Sequence, residues 1–255
     1  MELCGSVVAI TGGSRGFGLA IARYLVERGA RVGLLARRHD SLAEAVALLG
    51  EAQALGLAAD VANRAELTDA LQSLKRHFGR LDALVNNAGL ARPNSIEHLA
   101  EDQVALQVNT NFLGTVYASQ AAIPLLRGAP DPRIINLSSA SAVHYDEMSH
   151  LSIYAATKAA VERFTRDLRE ELQPDGIGVS CVRPGSAWTT FSDGWDETAL
   201  RAGLEAWHNS GPHMDTGMEV EQVAHAVGYC LEQPAGTAVD LLEVRPNRLA
   251  PKLRI

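Results

Sequence analysis

The sequence predicts an α/β protein built on a doubly wound parallel sheet. Three observations carry that reading. Short β-branched apolar runs alternate with longer stretches of helical periodicity along most of the chain. A glycine cluster stands between the first such run and the first helical stretch. No Pro-, Gly- or Ser-rich linker, repeat or low-complexity segment divides the 255 residues, so one domain spanning 1–255 is expected. Alternation of this kind implies right-handed crossovers and about seven strands, with helices on both faces.

Taken in order, Val7–Thr11 is an apolar run before glycines and predicts a buried strand. Residues 16–28 place Phe17, Ala20, Ile21, Tyr24 and Leu25 at helical spacing, and Gly29 supplies a helix stop. Arg31–Ala36 predicts a second strand, and residues 41–49 a helix capped by Ser41 or Asp40. Further strands are expected near 55–59, 82–86, 133–138, 178–183 and 239–244. Helices are expected near Arg64–Phe78, 101–126, Ser152–Leu172 and Val220–Leu231. Residues 186–217 break the rhythm, with no strand and little clear periodicity. A stretch that long in a compact domain reads as a lid or binding loop.

Composition narrows the class. An apolar fraction of 47% and a net charge of −7 exclude intrinsic disorder. No apolar run reaches membrane-spanning length, and the acidic balance argues against nucleic acid as a main partner. The first residues lead directly into an apolar strand without the signature of a secretion signal. Cys4, Cys181 and Cys230 are few and widely spaced, which suits small apolar thiols in a reducing compartment. A cytoplasmic location is therefore expected. The eight histidines show no metal-ligand spacing, so no metal is expected.

The glycine cluster runs Thr11-Gly12-Gly13-Ser14-Arg15-Gly16-Phe17-Gly18. Between a strand and a helix, glycines let backbone approach a phosphate, and the helix N-terminus favours its charge. The end of the second strand usually decides between NAD and NADP: an acidic residue there accepts from the ribose, whereas arginine welcomes an extra phosphate. Ala36 cannot accept, and Arg37, Arg38 and Arg15 could converge on a doubly charged group. Solvated surface charge is the other reading of Arg37 and Arg38.

The basic residues include only three lysines, beside five tyrosines in all, so Tyr154-Ala155-Ala156-Thr157-Lys158 is not an everyday coincidence. Positions four apart share a helical face, and an ammonium beside a phenol lowers the phenol's pKa from about 10 towards neutrality. Tyr154 thereby becomes a candidate general acid.

With these residues in place, the chain resembles the short-chain dehydrogenase/reductase family, in its branch of about 250 residues. The matching segments occur in family order. They are Thr11-Gly12…Gly16…Gly18, Asp60-Val61, Asn86-Asn87-Ala88-Gly89, Asn111-Phe112-Leu113-Gly114, Ser138-Ser139, Tyr154…Lys158 and Arg183-Pro184-Gly185 followed by Thr189. The resemblance implies one Rossmann-type domain, NADP(H) as cofactor, a small-molecule carbonyl or alcohol as substrate, and a homodimer or homotetramer. It implies that Tyr154 protonates the substrate oxygen, Lys158 lowers the tyrosine pKa and holds the nicotinamide ribose, and Ser139 hydrogen-bonds the substrate. Asn111 would maintain helix geometry and a proton-supplying water chain. Asp60 and Val61 would meet the adenine, and Asn87, Ala88 and Gly89 would line the cofactor channel. Pro184, Gly185 and Thr189 would embrace the nicotinamide end.

Two features depart from the pattern. Ser139 and Tyr154 are 15 residues apart where the family has about 13, and Ser141 restores 13, so Ser141 competes with Ser139. Phe17 replaces the usual aliphatic residue of the glycine loop.

The substrate end is less legible. Trp188, Phe191, Trp195 and Trp207 fall within 186–217 and read either as an apolar wall over a bulky substrate or as a satellite core. His144 and Tyr145, in the loop 140–153, are further candidates for touching substrate. A ketoreductase on a bulky or apolar molecule is the leading expectation. A non-redox dehydratase or isomerase and a cofactor-sensing module are the alternatives.

Overall fold

The computed structural model describes residues 1–144, 150–187, 189–192, 195–210 and 217–248. Seven strands form one parallel sheet: β1 (Val7–Thr11), β2 (Arg31–Ala36), β3 (Ala54–Ala58), β4 (Ala83–Asn86), β5 (Arg133–Leu137), β6 (Gly178–Pro184) and β7 (Leu241–Val244), in the order β3-β2-β1-β4-β5-β6-β7. The first three strands progress in one direction from β1 and the last four in the other. That reversal opens a crevice at the carboxyl ends of β1 and β4, where open α/β sheets bind ligands. This is the Rossmann architecture expected from the sequence.

Among the described residues the α-helices are α1 (Gly16–Val26), α2 (His39–Leu49), α3 (Arg64–Phe78), α4 (Glu101–Val108), α5 (Gly114–Leu126), α6 (Ser152–Leu172), α7 (Glu197–Ser210) and α8 (Val220–Leu231). Side chains of β1 alternate between two cores, as a strand's period of two requires. Val8 and Ile10 join Ile21 and Leu25 of α1 and Val223 and Val227 of α8. Val7 and Ala9 join Leu67 and Leu71 of α3, Ala118 and Ala122 of α5, and Leu168 of α6. Every residue of β1 is buried, which explains why the strand reads as a continuous apolar run.

Several elements differ from the sequence expectation. The single helix over 101–126 is two, joined by a π-helical turn at Asn109–Leu113. α2 starts at His39 with Arg38 at its cap position, and the Ser41 hydroxyl instead donates back to the Arg38 carbonyl at 3.1 Å. α1 stops at Val26, short of the left-handed Gly29. Residues 186–217 are not without regular structure: they contain α7. Its N-terminus is capped by Asp196, whose Oδ1 accepts from the Ala199 amide at 2.9 Å. A parallel bridge between Ala187 and Met218 closes the base of this segment. Cys4 is exposed rather than part of the core, while Cys181 and Cys230 are buried. Among the described residues no helix is long and apolar enough to cross a membrane.

Candidate active site

A cleft of about 650 Å³ runs along the carboxyl edge of the sheet. That is within the range of small-molecule sites, roughly 300–1,000 Å³. Its floor starts at the glycine turn between β1 and α1. Gly12 and Gly16 take positive φ, which a side chain would strain, and a Cβ on Gly18 would run into the Gly12 carbonyl. The turn is locked to the loop after β4. The Asn87 amide donates to the Thr11 and Gly12 carbonyls at 2.9 and 3.1 Å, and the Thr11 hydroxyl accepts from the Asn87 and Ala88 amides at 3.0 Å. A short, open turn at the start of α1 is the cradle that a pyrophosphate needs.

At the outer end of the cleft the Ser14 and Ser41 hydroxyls stand 3.3 Å apart, linking the glycine turn to the start of α2. Arg15, Arg37 and Arg38 all line this end and are exposed. Ala36 lines it too, where an acidic side chain would otherwise face a ribose. Asp60 and Val61 form the neighbouring wall, with Asp60 Oδ1 accepting from the Ala62 amide at 2.9 Å. A dinucleotide fits the glycine cradle, and the guanidinium groups of Arg15, Arg37 and Arg38 line the cleft beyond it.

Farther along, α6 carries Tyr154 and Lys158 on one face. Lys158 is 4% exposed, and its Nζ donates to the Leu137 carbonyl at 2.8 Å and lies 5.9 Å from the centre of the Tyr154 ring. Burial pushes its amine down to about 8. Nearby, burial raises the Cys181 thiol to about 12 and the Cys230 thiol to about 11, so neither is a thiolate near neutrality. A Cβ on Gly89 would sit 3.3 Å from Lys158 Nζ and 3.5 Å from Asn111 Oδ1, so the three residues meet.

Asn111 occupies the π-helical turn and is fully buried. Its Oδ1 accepts from the Leu90 amide at 2.8 Å, and its Nδ2 donates to the Leu90 carbonyl at 2.9 Å and to Thr157 Oγ1 at 3.0 Å. One side chain thus joins the loop after β4 to the helix bearing Tyr154. The extra residue of the π turn is the local distortion that accompanies this placement.

Ser139 and Ser141 both line the cleft, and their hydroxyls are 2.7 Å apart. Ser139 caps the short 3₁₀ turn Ala140–Ala142 and accepts from the Ser141 amide at 3.3 Å. The two candidate serines are therefore one hydrogen-bonded pair. Pro184, Gly185 and Thr189 line the far wall. The Phe191 ring lies 5.3 Å from Tyr154 in a tilted arrangement and 5.9 Å from Trp195 edge-on, making an aromatic row beside Tyr154. Gly12, Ser14, Gly16, Phe17, Ala88 and Gly89 belong to the same lining, whereas Gly18 lies beneath the turn.

His144 is not part of this lining. Its Nε2 meets Glu243 Oε1 at 2.7 Å, because the turn after Ser139 directs the ring toward β7. Tyr145 and Trp188 lie outside the described residues, as does the side chain of Trp207. The sequence reading also missed an ionic cluster behind the site. Arg183 binds both carboxylate oxygens of Glu162 at 2.7 and 2.6 Å and Glu243 at 2.7 Å, and Ser138 donates to Glu162 at 2.7 Å. Glu162 stands four residues after Lys158, a spacing that could have flagged it. Glu243 is 60 positions from Arg183 and has no local signal. Among the described residues no group of three or more His, Cys, Asp or Glu is placed to hold a metal.

The family model for short chain dehydrogenases matches residues 6–199. The chain belongs to the short-chain dehydrogenase family. This short-chain dehydrogenase is 30% identical over 244 residues to an uncharacterized oxidoreductase of Staphylococcus aureus (strain USA300), covering 96% of this chain and 98% of the relative. Its fold is similar to a serine dehydrogenase complexed with NADP+, with TM-score 0.82, 28% identity and 98% of both chains covered. It is equally similar to the 3-ketoacyl-(acyl-carrier-protein) reductase of Brucella melitensis complexed with NADH. There the TM-score is 0.83 and the identity 27%, over 96% of this chain and 99% of the reductase.

Proposed function

We propose that this oxidoreductase uses NADP(H) to interconvert a ketone or aldehyde and the corresponding alcohol, working as a ketoreductase on a bulky small molecule. The observation that carries the reading is the meeting of Tyr154, Lys158, Asn111 and the Ser139–Ser141 pair at one end of a cleft whose other end is a glycine cradle. NADP(H), when bound, supplies or receives the hydride.

The protein's own groups handle the charge and the proton. Negative charge develops on the substrate oxygen during reduction, and donors fixed beforehand oppose it with little reorganisation. Ser139 supplies one such donor, and its bond to Ser141 orients it. Tyr154 delivers the proton to that oxygen. Lys158 stands behind the phenol as a buried cation and favours the phenolate left after transfer. Asn111 holds the loop after β4 against α6 and so keeps Lys158 and Tyr154 in register. The aromatic row of Tyr154, Phe191 and Trp195 packs against the carbon skeleton of the substrate.

The preference for NADP(H) rests on Arg15, Arg37 and Arg38 with Ala36. A bidentate phosphate contact to arginine is a strong charge-assisted bond, so NADPH should bind at least about tenfold tighter than NADH. A panel of aldehydes and ketones assayed with each cofactor tests the proposal. Turnover with NADPH that falls at least about 10²-fold in Tyr154→Phe supports it, in line with the usual size of acid–base contributions. Equal NADH and NADPH affinities would remove the arginine argument. Product without cofactor consumption would remove the redox reading.

A further inference from the structure

We propose that His144 is a positioning residue for the serine that faces the substrate. Together with Ser138 it clamps the turn bearing Ser139 and Ser141, by both ends, onto the guanidinium of Arg183. The clamp deepens the reductase reading and rests on it, since Ser139 is there the donor to the substrate oxygen.

The two ends of the turn are tied to different carboxylates. Before the turn, Ser138 Oγ donates to Glu162 Oε1 at 2.7 Å. After it, His144 Nε2 meets Glu243 Oε1 at 2.7 Å. Burial alone would raise the Glu243 carboxyl, but hydrogen bonds from Arg183 and His144 hold it below the usual carboxylate range. An ionised carboxylate can only accept, so Nε2 carries the hydrogen and donates. Between the ends, the Ala142 amide donates to the Ser139 carbonyl at 2.9 Å and the His144 amide to the Ala140 carbonyl at 3.0 Å. Ser139 to His144 therefore move as one unit.

Both carboxylates end on the same guanidinium. Glu162 accepts from Arg183 Nε and Nη2 at 2.7 and 2.6 Å, and Glu243 from Nη1 at 2.7 Å. A planar fork fixes the direction of each partner, which an ammonium would not. The circuit then closes: Ser138, Glu162, Arg183, Glu243, His144 and back along the turn. Its inner arc is rigid, with Arg183 and Glu162 only 9% and 12% exposed. Its outer arc is looser, with Glu243 and His144 at 28% and 32%. The imidazole is thus the link that decides whether the far end of the turn is held.

The same post borders the opposite wall of the cleft. β6 runs from Arg183 into Pro184, and Gly185 follows it in the cleft lining. The Gly185 amide donates to the Val244 carbonyl at 2.8 Å, one residue after Glu243. The clamp therefore sets the serine pair against the wall expected to hold the nicotinamide. Misplacing such a group by about 1 Å can cost on the order of 10²-fold in rate.

The test is a cycle of variants. A panel of aldehydes and ketones, with benzaldehyde, acetophenone and cyclohexanone among them, is assayed with NADPH, and its fastest member is carried through. His144→Leu should lower kcat about tenfold and leave the KM for NADPH within about twofold, the size of a lost hydrogen bond to a charged group. His144→Gln places an amide N–H near the position of Nε2 and should restore kcat to within about threefold of wild type. In a Ser139→Ala background, His144→Leu should cost less than about twofold more, because the residue acts through that serine. A kcat unmoved by His144→Leu, a full tenfold loss that persists without the Ser139 hydroxyl, or no restoration by Gln overturns the clamp and leaves the reductase reading intact. Should His144→Leu fail to fold, Ser138→Ala releases the other end of the turn and enters the same cycle with the same expectation. If no member of the panel is turned over, the reductase reading fails, and amide hydrogen exchange across residues 139–144 decides the clamp. Exchange at least about tenfold faster in His144→Leu than in His144→Gln upholds it, and equal rates overturn it.

Discussion

Lys158 is the residue at which stability and chemistry pull in opposite directions. Burial lowers its amine from 10.5 to about 8, so between those pH values the unfolded chain holds a proton that the folded chain has released. Unfolding then takes up a proton, and stability rises with pH across that window. Below about pH 8 both states are protonated and the buried cation costs its full amount, roughly 3 kcal/mol on that displacement. Lys158→Met should therefore stabilise the cofactor-free protein at pH 7, by about 1–3 kcal/mol after the lost bond to Leu137, while abolishing turnover. The gain should vanish above about pH 10.5. Denaturant melts at pH 7 and at pH 11 check this, and a variant less stable than wild type at pH 7 would contradict it. The pairing of Tyr154 with Lys158 was legible because their spacing lies within one helical turn. Whether Ser139 or Ser141 faces the substrate was not legible, because a 3₁₀ turn folds one onto the other. The histidine suspected of touching substrate instead serves Glu243, a partner 99 positions away.

Among the elements, α6 is held to β6 and β7 by one guanidinium. Arg183 and Glu162 are each about one-tenth exposed, so the pair is a buried one whose loss on one side strands the other charge. Glu162→Gln should cost roughly 3 kcal/mol and should lower kcat, because Ser138 and the turn bearing Ser139 lose the same anchor. Urea unfolding and steady-state kinetics read both effects, and a loss below about 0.5 kcal/mol would show the cluster to be ornamental. Burial alone would raise the Glu243 carboxyl, but hydrogen bonds from Arg183 and His144 outweigh it and hold it below the usual carboxylate range. Its contribution is therefore present above the ordinary glutamate pKa and fades as the pH falls through the lowered one. Helices and strands with strong periodicity were readable to within a residue or two, as with α3, α6 and α8. The π-helical turn was not, because its extra residue answers the tertiary demands of Asn111 rather than local propensity. The helix α7 did leave a trace, since Leu200, Leu204 and Trp207 stand at helical spacing. Polar neighbours obscured it.

Over the whole molecule, we propose that one apolar face packs against a second copy of the chain. Val108, Phe112, Val116 and Phe164 are half-buried in the isolated chain and Ala159 is exposed, although the Phe112 and Phe164 rings meet at 6.3 Å. These residues lie on the α4–α5 segment and on α6, and an apolar stripe of that kind favours a second copy. Sedimentation at micromolar concentration should give a multiple of 27.3 kDa, two or four chains, and Phe112→Asp should shift it toward one. A wild-type monomer would refute the homo-oligomer. The order of the strands has a further consequence, for synthesis rather than catalysis. β1 pairs with β2 early, but its other edge waits for β4, with Val8 meeting Ala83 75 residues later. At roughly 5–20 residues per second that delay is about 4–15 s. Throughout it the growing chain carries an apolar strand with an open edge, the kind that pairs with strangers. The same reversal of strand order that creates the cleft thus gives the nascent chain its longest exposure to aggregation, and its clearest call on a chaperone.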